Sequence, residues 1–268
     1  MSNASEVLAK ARKVTRPTSL DFIEEIFDDF IELHGDRYFA DDKAVVGGIA
    51  SLNGMAVTVI GVQKGRSLEE NVSRRFGSPN PDGYRKALRL MKQAEKFGRP
   101  VVTLINTSGA YPGIGAEERG QGEAIARCLF ETAGIKTPII SIFVGEGGSG
   151  GALALAAGDR VWMLENGMYA VLSPEGFASI LWRNPSRSAE AADLMKITAH
   201  DLIKNGVIEK IIPEAPEGIE NNFKFTTDII RDSLIKEFKL LFAISKEDLL
   251  EQRYERFRKF GEFDEGTC

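Results

Sequence analysis

The sequence has 268 residues, 43% of them hydrophobic and 27% charged, with a formal net charge of −5, so one large core is enough and neither a second domain nor disorder is required. The negative balance excludes nucleic-acid binding through a broad basic face. Two cysteines, Cys128 and Cys268, cannot build a disulfide framework or a four-cysteine zinc site, and no apolar run approaches a bilayer span or a signal core, which predicts a cytoplasmic protein.

Residues 1–15 read as an N-terminal segment that is disordered or tag-derived, with Ser2-Asn3-Ala4 in the manner of a cloning scar. Thr18 and Asp21 have the form of a capping box, and Leu20, Ile23, Phe27 and Phe30 then recur at helical spacing, predicting an amphipathic helix that ends near His34-Gly35. Residues 45–50 and 55–62, joined by Asn53-Gly54, predict a β-hairpin, because Asn-Gly supplies the positive φ pair of a tight turn. Asp82-Gly83 opens a periodic helix carrying Tyr84, Ala87, Leu88, Met91 and Ala94 on one face, closed by Gly98 and Pro100. A buried strand over 101–106, a helix over 116–132, an apolar strand over 138–144 and a short helix over 150–157 follow. Further strands are predicted at 161–164, 169–172 and 207–212, with a helix over 189–205 before the last of these. Strands alternating with helices imply an α/β fold whose parallel sheet is covered on both faces. Beyond Pro216 the pattern is charged and helical, anchored by Ile229, Leu234, Phe238, Leu241 and Leu250.

Two glycine-rich turns each follow an apolar strand, Thr107-Ser108-Gly109-Ala110-Tyr111-Pro112-Gly113 and Gly145-Glu146-Gly147-Gly148-Ser149-Gly150-Gly151. Glycine permits positive φ and close approach of a ligand to main chain, and two such turns at equivalent positions point to a shared cleft. The second turn admits three readings. Gly145, Gly147 and Gly150 fit a dinucleotide fingerprint with Glu165 as the ribose-binding acid, although the helix that follows is short. Ser149 within Gly147-Gly148-Ser149-Gly150-Gly151 fits a serine-hydrolase turn, with Asp159 or Asp193 and then His200 completing the order. The third reading needs only the backbone N–H groups at the start of the helix, which would hold a developing oxyanion.

The residues in order carry a resemblance. Gly35-Asp36-Arg37, Ala40-Asp41-Asp42-Lys43-Ala44, Val46-Gly47-Gly48-Ile49-Ala50, Gln63-Lys64-Gly65-Arg66, Gly83-Tyr84-Arg85-Lys86-Ala87-Leu88, Gly109-Ala110-Tyr111-Pro112-Gly113, Gly115-Ala116-Glu117-Glu118-Arg119-Gly120-Gln121, the second glycine turn and Ser173-Pro174-Glu175-Gly176 occur along residues 16–254. The chain closely resembles the α subunit of the carboxyltransferase of multi-subunit bacterial acetyl-CoA carboxylase. That resemblance implies a crotonase/ClpP-like fold of repeated ββα units over 16–216, with a helical C-terminal region over 217–268 packing on the domain or on a partner. It implies transfer of a carboxyl group from carboxybiotin, borne by a biotin carboxyl carrier protein, to acetyl-CoA, giving malonyl-CoA for fatty-acid synthesis. It implies activity only with a β subunit, as an α2β2 heterotetramer served by biotin carboxylase, with zinc held by the β subunit and no metal in this chain. The amides of Gly150 and Gly151 become the catalytic donors, and the biotin nitrogen can serve as base. Gly109, Ala110, Tyr111, Gly113, Gly147, Gly148 and Ser149 become the substrate-binding set.

Ser108 stands where the family often has proline, and relatives often carry a longer helical N-terminus. Lys64, Arg66, Arg74 and Arg75 are candidate contacts for CoA phosphates or for a partner, against the alternative of a solvated basic loop. Tyr111 and Phe177 could line the cleft or belong to the core. Leu194-Met195-Lys196-Ile197 is a poor biotin-attachment site because it falls in a helical pattern, and Cys128, on an apolar face with Ile125 and Leu129, reads as structural.

Overall fold

The structure, a computed structural model, describes residues 4–261; Ser2, Asn3 and Cys268 lie outside them. In chain order the elements are α1 (Ala4–Ala11), α2 (Ser19–Ile26), β1 (Asp28–Glu32), β2 (Val45–Leu52), β3 (Met55–Val62), α3 (Leu68–Ser73), α4 (Pro81–Lys96) and β4 (Val101–Thr107). They continue with α5 (Ile114–Glu118), α6 (Gln121–Ala133), β5 (Ile139–Gly148), α7 (Ser149–Leu153), β6 (Arg160–Leu164), β7 (Met168–Ala170), α8 (Pro174–Trp182) and α9 (Ser188–Met195). Last come α10 (Ala199–Lys204), β8 (Lys210–Ile212), α11 (Phe223–Leu241) and α12 (Lys246–Arg258).

The strands form one sheet in the order β1-β2-β3-β4-β5-β6-β8, with β7 added to β5. The first two pairings are antiparallel and the rest parallel. Leu52 faces Met55 across the expected two-residue turn, where Asn53 (φ 51°) and Gly54 (φ 79°) take the left-handed pair. Side chains of the central strands divide by the period of two. Val102, Leu104, Ile140, Ile142 and Val144 pack beneath α2 and α11, with Phe22, Ile23, Ile230 and Phe238. Val101, Ile105, Ile139 and Phe143 face α4 through Ala87, Leu90 and Met91.

Four expectations are corrected. The capping-box helix stops at Ile26, because Phe27 is extended (φ −117°, ψ 153°) and Asp29 is left-handed (φ 52°). Residues 28–32 instead form an antiparallel edge strand on β2, and Gly48 has no room for a Cβ against the carbonyl of Ile31. The helix expected over 116–132 is two helices, broken where Gly120 takes φ 80°, and the one expected over 189–205 is likewise broken at Lys196 (φ 54°). The N-terminal segment, expected to be disordered or tag-derived, is a helix from Ala4 onward. Its Ala4, Leu8 and Ala11 are buried against Met168, Ala170, Ala192 and Ile197, spaced as one helical face.

The C-terminal helices are part of the body. Ile230, Leu234 and Phe238 of α11 and Leu249 of α12 belong to the larger core. Arg253, 2% exposed, reaches into the interior, where Nε and Nη2 each donate to the Asp159 carboxylate at 2.8 Å and Nη1 donates to the carbonyl of Ile135 at 2.7 Å.

Candidate active site

Strand β5 changes partner along its length. Residues 140–143 pair with β6, and residues 146–148 pair with β7, so the chain steps sideways at Gly145. The β4–β5 register shifts at the same place: Ile105 faces Phe143 but Thr107 faces Gly147, so β5 bulges opposite Asn106. Asn106 fills it, its Oδ1 accepting from the Glu146 amide at 3.1 Å and lying 2.5 Å from where a Cβ on Gly145 would stand. The bulge therefore opens the C-terminal ends of the two strands while keeping the main chain hydrogen-bonded.

The two glycine turns meet there. Gly148 leaves no space for a Cβ against the carbonyl of Ser108, and a Cβ on Gly151 would lie 2.5 Å from the Ala110 nitrogen and 2.8 Å from Tyr84 Oη. Gly109 adopts φ 139°, which an L side chain rarely takes, and its position faces the Gly148 carbonyl and Ser149 Oγ. Gly147 sits over Phe143 and Tyr169, whose rings stack with centroids 4.7 Å apart. Burial pushes the Tyr169 hydroxyl up to about 12. Gly113 caps α5 and is covered by the ring of Tyr111, which is 38% exposed.

Helix α7 begins at Ser149 with Gly148 as its N-cap and no side-chain cap hydrogen bond. An N-cap oxygen ordinarily accepts from the amides of the second and third helical residues, which here are Gly150 and Gly151. A glycine cap has no such oxygen, so these two donors are free of a cap acceptor. A cavity of about 260 Å³ opens on the turn, lined by Thr107, Ser108, Gly148 and Ser149 together with Arg12 and Glu146. A second, of about 430 Å³, lies on the other side of Glu146 and is lined by Lys64, Arg66, Asn71, Asn106 and again Arg12.

Glu146 is buried between the cavities. Its Oε1 accepts from Arg12 Nε at 2.7 Å and its Oε2 from Lys64 Nζ at 2.8 Å. Burial, the largest influence, pushes its carboxyl up, but Lys64 and Arg12 together outweigh it and hold the group below the usual carboxylate range. Of the four basic residues singled out in the sequence, Lys64 thus reaches the turn and Arg66, paired with Asp21, lines the second cavity. Arg74 is engaged by Glu70 and the Lys43 carbonyl, and Arg75 by Asp42; neither lines either cavity.

The family described as "Acetyl co-enzyme A carboxylase carboxyltransferase-like" matches residues 2–261. The acetyl-coenzyme A carboxylase carboxyl transferase subunit alpha of Streptococcus thermophilus (strain ATCC BAA-491 / LMD-9) is 62% identical over 263 residues, covering 97% of this chain and 100% of its own. That of Streptococcus pyogenes serotype M12 (strain MGAS2096) is 63% identical over 260 residues, with the same coverage. This chain belongs to the family of acetyl-CoA carboxylase carboxyltransferase α subunits.

Solved structures agree on the fold of this carboxyltransferase subunit. Transcarboxylase 12S matches with a TM-score of 0.69 at 18% identity over 89% of the chain, which spans 44% of that protein. A Pseudomonas malonate decarboxylase hetero-tetramer matches with a TM-score of 0.66 at 17% identity, covering 81% of this chain and 88% of that one. The crotonase-like expectation is met.

The hydrolase and dinucleotide readings are overturned. The Asp159 carboxylate is occupied by Arg253 and by the Ile139 amide at 2.7 Å, and Asp193 accepts from the Ala4 amide. His200 is exposed on α10 and lines no part of the Ser149 cavity. Helix α7 is five residues long, too short a platform for a pyrophosphate, and Glu165 Oε2 accepts from the Glu214 amide instead of facing the turn. Cys128 is buried, its thiol donating to the Ala154 carbonyl and pushed up to about 12 by burial, in line with a structural role. The sequence does not single out Arg12, Glu146 or Tyr84 as site residues. Arg12 lies in the segment expected to be disordered or tag-derived, the partners of Glu146 are distant in sequence, and Tyr84 is indistinguishable from its neighbours on an apolar helix face.

Proposed function

We propose that this chain is the half of a carboxyltransferase that receives carboxybiotin from a biotin carboxyl carrier protein and, with a β subunit, carboxylates acetyl-CoA to malonyl-CoA. The observation that carries the reading is the glycine N-cap of α7, which leaves the amides of Gly150 and Gly151 without a cap oxygen immediately after Gly148 and Ser149, which line an open cavity. Carboxybiotin, when bound, supplies an activated carboxyl group and a ureido oxygen on which negative charge gathers as that group leaves. The residues present fit such a group: Gly148 and Gly109 keep side chains out of the junction, and the amides of Gly150 and Gly151 have no cap side chain to accept from them. Two fixed N–H donors stabilise charge as it forms, and one such donor is worth about 3 kcal/mol in comparable sites.

With α7 only five residues long, the individual donors matter more than a helix dipole, whose effect is confined to a turn. No side-chain base is needed from this chain, which agrees with the absence of a Ser149 relay. The subunit name of the relatives supports a β partner. We assign the second oxyanion site and the zinc to that partner, the assembly to α2β2 with biotin carboxylase as supplier, and the compartment to the cytoplasm.

The test is to mix the purified chain with a cognate β subunit and measure malonyl-CoA formed from acetyl-CoA and carboxybiotin. Turnover in the mixture and none from either chain alone is expected. Turnover by this chain alone, or none in the mixture, contradicts the reading.

A further inference from the structure

We infer that Arg12 is a binding residue of the carboxyl-transfer site, taking the carboxylate that is being transferred, and that Glu146 is the positioning residue that aims it. The inference rests on the carboxyltransferase reading above and extends it to a segment outside the glycine turns.

Four observations converge on Arg12. It lines the cavity that holds Gly148 and Ser149, and it also lines the larger cavity beyond Glu146, so its guanidinium stands at the partition between them. Its Nε is fixed by Glu146 Oε1 at 2.7 Å and its Nη1 by Glu175 Oε1 at 2.9 Å. Those two contacts leave the Nη2 protons and one Nη1 proton outside either pair, and these are donors from which a further carboxylate can accept. The side chain is 35% exposed, so the fork is held but not sealed.

The two acidic partners of Arg12 are unequal. Glu146, with 8% side-chain exposure, is shared with Lys64, and the partition is balanced at rest, two cations against the carboxylates of Glu146 and Glu175. Glu175, with 45% side-chain exposure, is screened by water and is the contact that an incoming carboxylate can replace. A carboxylate that enters the cavity then meets a partly buried guanidinium, which matches it in charge and in shape. The amides of Gly150 and Gly151 serve a different atom, the oxygen that gains charge as the carboxyl leaves. A donor with both a carboxylate and a neighbouring carbonyl oxygen would thus be held at two points across one cavity.

Malonamate is a suitable probe, since it is the stable carbon isostere of an N-carboxylated urea, with a carboxylate one atom removed from an amide carbonyl. Malonamide is its uncharged counterpart. In calorimetric titrations of the assembled α–β complex, Arg12→Gln is expected to weaken malonamate binding about tenfold or more, equivalent to about 1.4 kcal/mol, with malonamide unaffected. Arg12→Lys, which keeps the charge but loses the fork, is expected to fall between. In turnover, Arg12→Gln is expected to raise KM for carboxybiotin about tenfold and to leave KM for acetyl-CoA within about twofold. Gel filtration and thermal unfolding identify any variant that fails to assemble, for which Arg12→Lys provides the second measurement. Equal malonamate affinity in wild type and Arg12→Gln, equal loss for malonamate and malonamide, or no malonamate binding by the wild-type complex overturns the inference. Such results with an active wild-type complex remove only the role of Arg12, whereas an inactive wild-type complex removes the carboxyltransferase reading itself.

Discussion

A Cβ at Gly151 would lie 2.5 Å from the Ala110 nitrogen and 2.9 Å from the Gly109 carbonyl carbon, whereas one at Gly150 would meet only Ile125 Cγ2, at 3.8 Å. The same substitution therefore separates packing from chemistry at adjacent positions. Gly151→Ala forces the two turns apart and is expected to lower turnover at least about tenfold, the equivalent of about 1.4 kcal/mol. Gly150→Ala keeps the amide and adds an ordinary contact. It should leave turnover within about threefold and raise stability by up to about 1 kcal/mol, since alanine is the better helix former. Equal losses in the reconstituted assay at both positions would contradict this division. Tyr84 is also informative. Its hydroxyl is buried without a hydrogen-bond partner among the described residues, and burial raises its ionisation well above the ordinary value. Removing an unsatisfied hydroxyl relieves a desolvation cost, so Tyr84→Phe is expected to stabilise the fold by about 1 kcal/mol, measured by urea unfolding. Destabilisation by that amount would show that the hydroxyl has a partner in solution.

At the scale of elements, Arg253 ties α12 to the body, beside Leu249 in the core and Arg256 on Glu209. Arg253 joins the helix to the Asp159 carboxylate and to carbonyls at the end of α6 and just before β5. Truncating one member of a buried ion pair leaves the other charge uncompensated, which costs about 3–5 kcal/mol. Arg253→Met is expected to lose that much in urea unfolding, and a loss below about 1 kcal/mol would contradict a structural role. Most elements were legible in the sequence because their local signals agree with their tertiary setting: the Asn53-Gly54 hairpin, the apolar face of α4, and the continuous apolar runs of β4 and β5. The failures share a cause. Phe27, Phe30 and Ile31 keep helical spacing with Ile23, but β2 presents Gly48 as a seat for an extended chain, and that tertiary partner is invisible locally. Gly120 and Lys196 break helices through positive φ, which periodicity does not register. At the site, the glycine turns were readable from composition. The bulge at Asn106, which opens the strands, and the ion pairs of Glu146 were not, because they join residues 40 or more positions apart.

Across the whole molecule, the N-terminal segment crosses the C-terminal edge of the sheet and is tied down by charge. Arg12 meets Glu146, Lys13 meets Glu220, and buried Arg16 meets Glu214 while donating to the Val144 carbonyl at 2.7 Å. The segment is thus coupled to β5 just before the glycine turn. Glu146 makes that coupling dependent on pH. A carboxyl lowered in the folded state contributes stability that is complete above its ordinary value of 4.5 and is lost as pH falls below it. The stability gap between wild type and Glu146→Gln is therefore expected to narrow on acidification below pH 4.5, followed by urea midpoints. A gap that widens there would reverse the sign assigned to Lys64 and Arg12. The central claim, that two uncapped backbone amides receive an oxyanion, is tested most directly by a crystal structure of the α–β complex with biocytin bound. The account predicts the ureido oxygen within about 3.2 Å of the amide nitrogens of Gly150 and Gly151; a ureido oxygen seated elsewhere, with both amides facing other groups, would contradict it.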